Sequence, residues 1–441
     1  MLAVIGAGVS GQGLALLARS LGEDVLVSEQ KAIPDNVKAL FTQNGIAFEE
    51  GHSDKVFTAE RLLISSGIPP QSEILREAER RNFPMTGELD YVLPHIRTNN
   101  LVCVTGSNGK STVTSLIGHI LNNAGLKAGT GGNLGTASAK FTQEDFDAVV
   151  LELSSFQLAR ATKSLRSSVS IITNLAPDHI DWHGSYEAYV EAKNNVLKLR
   201  GGWGIIQDRD FDALKPDGKI IVLSWTENPQ HKTDGHIFMK DDEAVLTLNG
   251  KTIPLFKYTD TTLIGSHNLE NVAMSLCAVQ LLGVETAGRV RELLAGFRPL
   301  PHRCEDAGTI DGVQYIDDSK GTNVAATVTA MKCIKGRKVI ILGGQGKGED
   351  YAPLAEAVKE ECDSAVLLGE EAGKIQQALE KAGFTDFYRV SSMEEAVSKA
   401  KALASPGMVV LLSPACTSWD MYPSYKVRGE HFCKIVAQWK S

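Results

Sequence analysis

The chain predicts an α/β fold in three domains: a Rossmann-like amino-terminal domain, a central α/β domain of the phosphate-loop ATPase type, and a Rossmann-like carboxy-terminal domain. Three observations carry this reading. Apolar runs of strand length alternate with amphipathic helical stretches along the whole chain. A GxGxxG turn, Gly6, Gly8 and Gly11, follows the first apolar run. A Gly106-Ser107-Asn108-Gly109-Lys110-Ser111 turn follows the run Leu101–Thr105 and leads into a helical pattern. At 441 residues the chain exceeds one ordinary core, so several domains are expected.

In the first expected domain, 1–98, the strand Leu2–Ile5 enters the glycine turn and a helix-like run at Leu14–Ala18 leads to a second strand, Asp24–Ser28, with Glu29 at its end. An acidic residue there fits dinucleotide binding, but the same geometry seats any diphosphate, including that of a UDP-sugar. A further strand and polar turn, Arg61–Pro70, puts Ser66 where ligands of open α/β sheets bind.

The second expected domain, 99–298, holds the phosphate loop. Glycines let backbone N–H groups converge on an anion, and the helix N-terminus adds partial positive charge. Lys110 would reach the β- and γ-phosphates, and the Ser111 hydroxyl would face Mg²⁺. Val104 stands where the general pattern has its first glycine. Residues 131–135 read as a glycine-rich loop carrying Asn133. The strand Ala148–Leu151 delivers Glu152 beside the phosphate loop, as such folds do to position Mg²⁺. Asp178, His179, Asp181 and His183 look metal-binding, although no third soft ligand stands at a spacing that favours zinc. A helix is predicted from Ser185 to Leu199; Lys193 lies on its apolar stripe and is expected to snorkel to solvent. Residues 200–260 read as short strands and turns. Asn268 and Asn271 precede a helix and either read a base edge or cap it.

A boundary falls at residues 297–301, where prolines interrupt the pattern. In the third expected domain, 299–441, strands end in polar turns at Asp317–Asn323, Gly343–Lys347 and Ser413–Asp420. Three such turns point to one cleft edge, and Lys347 and Ser418 are natural carboxylate holders.

Net charge is −8 with scattered basic residues, which argues against nucleic acid as a partner. No apolar run reaches membrane-spanning length and no signal peptide is expected. Seven cysteines without a CxxC suit reduced thiols and a cytoplasmic location.

Together, TGSNGKST (105–112), ELSSFQL (152–158), Asp178-His179, Lys193, His302-Arg303, Asp318-Ser319-Lys320 and the closing LSPACTSWD resemble the Mur ligase family. The resemblance runs in order over essentially the whole chain. ELSSFQL, DDSKGTN and LSPACTSWD, with the absence of a DNPR tetrad, imply one activity within it. That activity is ATP-dependent attachment of D-glutamate to UDP-N-acetylmuramoyl-L-alanine through an acyl phosphate, in peptidoglycan precursor synthesis.

The resemblance also implies roles. Gly106, Ser107, Asn108, Gly109, Lys110, Ser111, Thr112, Asn268, Asn271, Arg303 and Asp318 would bind ATP. Lys110, Glu152, His179 and Lys193 would be catalytic. Two Mg²⁺ sites would draw on Ser111, Glu152, His179 and a carbamylated Lys193. Ser10, Glu29, Ser66 and Asn133 would hold the UDP-substrate, and Thr322, Lys347, Ser418 and Tyr425 the D-glutamate. The enzyme would work as a monomer on small molecules alone. Cys103, Gln345 and the Glu29-Gln30 pair depart from common family residues. Three rivals stand beside this reading: a dinucleotide-dependent oxidoreductase, motivated by the first glycine turn, a nucleotide-gated binding protein, and a folate-polyglutamate ligase.

Overall fold

The computed structural model describes residues 1–261, 263, 265–298 and 301–439. Met1–Leu175, Glu187–Thr262 and Asn268–Phe297 form one compact unit; Ala176–Tyr186, Leu263–His267 and Arg298–Ser441 form a second. The boundary expected at residues 297–301 includes Pro299 and Leu300, which lie outside the described residues.

The first unit carries two sheets. In the first sheet, β1 (Leu2–Ile5), β2 (Val25–Glu29), β3 (Ala47–Glu50), β4 (Leu62–Ile64) and β5 (Met85–Gly87) run parallel in the order β3-β2-β1-β4-β5. Leu2 and Val4 pack on one face with Leu14 and Leu17, while Ala3 and Ile5 pack on the other with Ile74 and Leu75. Burial on both faces is why β1 reads as an unbroken apolar run. The chain turns opposite ways from β1 and β4, and their carboxyl ends bound the crevice where such sheets bind ligands.

The second sheet comprises β6 (Leu101–Thr105), β7 (Ala128–Gly132), β8 (Ala148–Glu152), β9 (Val169–Ile172), β10 (Trp203–Gln207), β11 (Ile220–Leu223), β12 (Gly235–Lys240), β13 (Glu243–Leu248) and β14 (Lys251–Lys257). Their order is β14-β13-β12-β11-β10-β9-β6-β8-β7. From β7 to β12 the strands are parallel, and β13 and β14 add an antiparallel meander at one edge. Pro254 sits within β14, the edge strand. The meander gives residues 200–260 a structural role: they extend the sheet.

Two local expectations are corrected here. Gly131 and Gly132 close β7 rather than forming a loop. A Cβ on Gly131 would meet Thr136 O at 2.3 Å and the Phe141 ring at 2.7 Å, so glycine lets the strand lie under that ring. Asn268 and Asn271 lie inside the helix Ser266–Leu281, not at its cap.

Buried polar ties join the regions of the two sheets. Glu88 accepts from Ser138 Oγ at 2.9 Å, and Asp90 accepts from Thr162 Oγ1 at 2.6 Å and from the Thr162 and Lys163 amides.

The second unit holds the third sheet. It consists of β15 (Glu305–Ile310), β16 (Val313–Asp317), β17 (Lys338–Gly343), β18 (Cys362–Leu368), β19 (Phe387–Arg389) and β20 (Val409–Leu412). The order is β15-β16-β20-β17-β18-β19, with only β15 antiparallel. Apolar side chains alternate between two buried clusters, Ile340 and Leu342 on one face, Val339 and Ile341 on the other. β20 inserts between β16 and β17, so the turns after all three meet at one edge.

Candidate active site

The phosphate loop lies between β6 and the helix Lys110–Asn123. Gly106 has φ +140°, and a Cβ there would stand 2.0 Å from Thr173 Oγ1; Gly109 has φ +83°, and its Cβ would stand 2.5 Å from Asn271 Oδ1. Only glycine fits either place. Asn174 clamps the loop: its carbonyl accepts from Ser107 N at 2.9 Å, and its side-chain amide both accepts from Asn108 N and donates to Asn108 O at 3.0 Å. Thr173 Oγ1 also donates to Asn108 O. Lys110 arches back and donates to the Gly106 and Ser107 carbonyls at 2.9 and 2.7 Å. Ser107, Ser111 and Thr112 are buried beside it.

Lys193 corrects the snorkelling expectation. It is 2% exposed, on the helix Tyr186–Lys198, and donates to Gly106 O at 2.6 Å. Its ammonium lies 4.6 Å over the Tyr189 ring, and Tyr189 OH bonds Ser107 Oγ at 2.9 Å. A stripe argument locates the stem but cannot foresee a backbone carbonyl waiting for the head group.

Glu152 ends β8 opposite Val104 and is 2% exposed. Its Oε1 accepts from Asn133 Nδ2 at 3.1 Å, and its carbonyl accepts from Asn133 N at 2.8 Å. The hydroxyl of Ser111 and this carboxylate are hard oxygen donors, a set that suits Mg²⁺ better than zinc. The glycine cradle and the helix N-terminus fit a polyphosphate. Thus the first unit gathers residues 106–112, Lys193 and Asn271 around one loop, with Glu152 on the neighbouring strand. Asn268 joins them through Asn271 Nδ2, at 3.4 Å.

At the crevice of the first sheet, Glu29 is spent on main chain: its carboxylate accepts from Ala7 N at 2.8 Å and Lys31 N at 3.1 Å. The acid that a dinucleotide reading reserves for a ribose instead shapes the glycine turn. Ser10 Oγ donates to Glu88. Ser66 sits half-buried in the turn after β4. Arg160 reaches that turn and donates to Ser65 O at 3.1 Å and to Ile68 O; burial lowers its pKa to about 10.

In the second unit, Lys347 Nζ pairs with Asp178 Oδ1 at 2.8 Å and donates to Thr322 Oγ1 at 3.3 Å. Asn323 Nδ2 donates to the other Asp178 oxygen at 3.3 Å. His179 adopts φ +52°, with Nε2 3.7 Å from Asp178 Oδ1. Glu349 accepts from Val324 N at the N-terminus of the helix Val324–Cys333, and burial raises its pKa to about 7.

Asp318 accepts from Ser413 Oγ at 2.6 Å and Cys304 N at 3.3 Å; burial raises its pKa to about 7. Half-buried Arg303 lies between His302 and Cys304, both in the left-handed region, a backbone strain that clusters at functional sites. His302 Nδ1 bonds Asp317 Oδ2 at 2.7 Å. The Tyr425 ring lies 4.1 Å under Lys320 Nζ, and its carbonyl accepts from Ser319 Oγ. Ser418 is buried, and its carbonyl accepts from Met421 N and Tyr422 N.

Arg428 escaped the sequence reading altogether. It is 3% exposed and donates to Ser319 Oγ, Ser319 O, Cys416 O and Thr417 O at 2.9–3.1 Å, joining two of the polar turns. Asn174 and Arg160 escaped it too.

Comparison with known proteins supplies the family. Residues 1–74 match the MurD N-terminal domain, 104–279 the Mur ligase middle domain, and 302–416 the Mur ligase glutamate ligase domain. The chain is 36% identical over 453 residues to the UDP-N-acetylmuramoylalanine--D-glutamate ligase of Natranaerobius thermophilus, covering 98% of this chain and 97% of that one. It is 33% identical over 443 residues to the ligase of the same name from Acinetobacter baylyi, covering 98% and 97%. Among solved structures, UDP-N-acetylmuramate-alanine ligase from Thermotoga maritima aligns with a TM-score of 0.60 at 18% identity over 99% of both chains. A pseudomurein peptide ligase from Methanothermus fervidus aligns equally well, with the same score, identity and coverage. From its ordered motifs, its three sheets and these full-length matches, the chain belongs to the Mur ligase family.

Proposed function

We infer that this chain joins D-glutamate to UDP-N-acetylmuramoyl-L-alanine at the expense of ATP, a step of peptidoglycan precursor synthesis. The observation that carries the reading is the glycine cradle of residues 106–112, with Lys110, Lys193 and Asn271 converging on it, in a chain aligned end to end with ligases of that name. The three domains are read as 1–98 for the UDP-substrate, 99–298 for ATP and 299–441 for the amino acid.

The alanyl carboxylate attacks the γ-phosphorus of ATP in line; the bond to the β,γ-bridging oxygen breaks, giving an acyl phosphate and ADP. Lys110, which the loop carbonyls now hold, neutralises charge on the transferring group. The amine of D-glutamate then attacks the acyl carbon, loses a proton, and inorganic phosphate leaves. Mg²⁺, when bound, supplies further charge neutralisation at the phosphates. Ser111 and Glu152 would hold one ion, His179 would ligate a second, and a carbamylated Lys193 would offer an anionic oxygen ligand. The burial of Lys193 supports the modification, because a lysine away from water is more readily neutral and able to react with CO₂.

Asn268, Arg303 and Asp318 complete the ATP contacts in this reading. Ser10, Glu29, Ser66 and Asn133 serve the UDP-substrate. Thr322, Lys347, Ser418 and Tyr425 serve D-glutamate, whose carboxylate would compete with Asp178 for Lys347. No described helix is long and apolar enough to cross a membrane. We take the enzyme to be a cytoplasmic monomer without a nucleic-acid partner.

Phosphate release measured with UDP-N-acetylmuramoyl-L-alanine and a panel of amino acids, both glutamate enantiomers included, tests the reading. Release should require D-glutamate; release indifferent to both substrates would defeat it. Lys110→Ala should lower the rate by about three powers of ten or more, as expected for loss of transition-state charge stabilisation.

A further inference from the structure

The two turns that bound the first sheet's crevice are close neighbours: a Cβ on Gly6 would lie 2.4 Å from Ser65 Oγ. Each is held by an ionisable side chain. On one side, the Ser10 hydroxyl donates to Glu88, whose other oxygen accepts from Ser138 Oγ. On the other, the Arg160 guanidinium bridges the carbonyls of Ser65 and Ile68. Ser138 and Arg160 come from the region of the second sheet, while Glu88 opens the helix that follows β5, so the crevice is shaped from beyond the turns that line it. A buried carboxylate or guanidinium is a poor choice for bulk stability, since apolar residues of like volume usually serve as well. What these groups do supply is direction, through several aimed hydrogen bonds apiece.

We propose that Glu88 and Arg160 are positioning residues for the uridine-nucleotide crevice, fixing the Ser10 turn and the 65–68 turn in their binding geometry before the ligand arrives. This rests on the reading above that the crevice takes the nucleotide substrate. Its consequence is that binding avoids the cost of ordering two loops. Arg160 still carries its charge at neutral pH, so the bridge persists under working conditions.

The test is calorimetric titration of the full chain with UDP, and in parallel with ADP, on wild type, Glu88→Ala, Glu88→Gln, Arg160→Ala and Arg160→Lys. Either alanine variant should weaken UDP about tenfold or more while ADP moves by less than about twofold. Gln keeps the shape without the charge and Lys the charge without the planar fork, so both should fall between. Should the alanine variants fail to fold, the Gln and Lys pair carry the same comparison. UDP affinity unchanged in the folded variants would overturn the proposal. So would equal weakening of UDP and ADP, which is what a merely structural role produces. A wild-type chain that binds ADP but not UDP would instead overturn the reading of the crevice itself.

Discussion

Two guanidiniums, half-buried Arg160 and buried Arg428, hold turns of this molecule, and they differ in where they come from. Arg160 holds the turn after β4 from the region of the second sheet. Arg428 holds the turns after β16 and β20 from the helix Tyr425–Ala437, which belongs to the third sheet's own unit. Both are lowered by burial to a pKa of about 10, and both donate chiefly to main-chain carbonyls. The third sheet therefore carries its own clamp, whereas the first borrows one. A fork of fixed donors is an economical way to hold irregular backbone, because a single side chain satisfies several turn carbonyls at once.

The contrast can be broken by mutation. Arg428→Ala strips one donor group from four acceptors and should destabilise the chain by about 4 kcal/mol in denaturant unfolding. Arg428→Lys, a point charge without the fork, should recover less than half of that. Arg160→Ala leaves two carbonyls behind and should cost only about 2 kcal/mol. If the two alanine variants unfold at the same denaturant concentration, the distinction between owned and borrowed clamps has no energetic content.

A further effect appears with pH. Burial holds the Asp318 carboxyl at about 7, against 3.8 ordinarily. Between about pH 4 and pH 7 the unfolded chain has released this proton while the folded chain keeps it. Stability contributed at this site is therefore intact below pH 4, falls as pH rises to 7, and is level above. Asp318→Asn should flatten that part of a plot of Tm against pH. A slope from Glu349 and Asp210, raised by burial to about 7 and 6, should remain. An unchanged slope in Asp318→Asn would mean that the buried carboxyl titrates normally.

The ends of the apolar runs and the glycine turns were legible because both obey local rules: alternation of burial for strands, positive φ for Gly106 and Gly109. Lys110, Glu152 and the residues beside them follow from strand-turn-helix grammar. The clamps were not legible. Asn174 lies 66 residues from Asn108, Arg160 lies 95 from Ser65, and Arg428 lies 109 from Ser319. Each bonds the backbone of a distant turn, and a carbonyl has no residue type by which a sequence could announce it. Lys193 was misread for the same reason. Gln345 is a milder case: its main chain pairs with Thr417 in both directions, so the substitution from the common family residue leaves that turn intact.

The antiparallel meander on the second sheet ends at β14, and Pro254 lies within that last strand. A proline offers no amide hydrogen, and this one stands in the edge strand between the cations Lys251 and Lys257. Chains crowded during synthesis could otherwise zip together along such a margin; here the sheet's growth is halted by its own final strand.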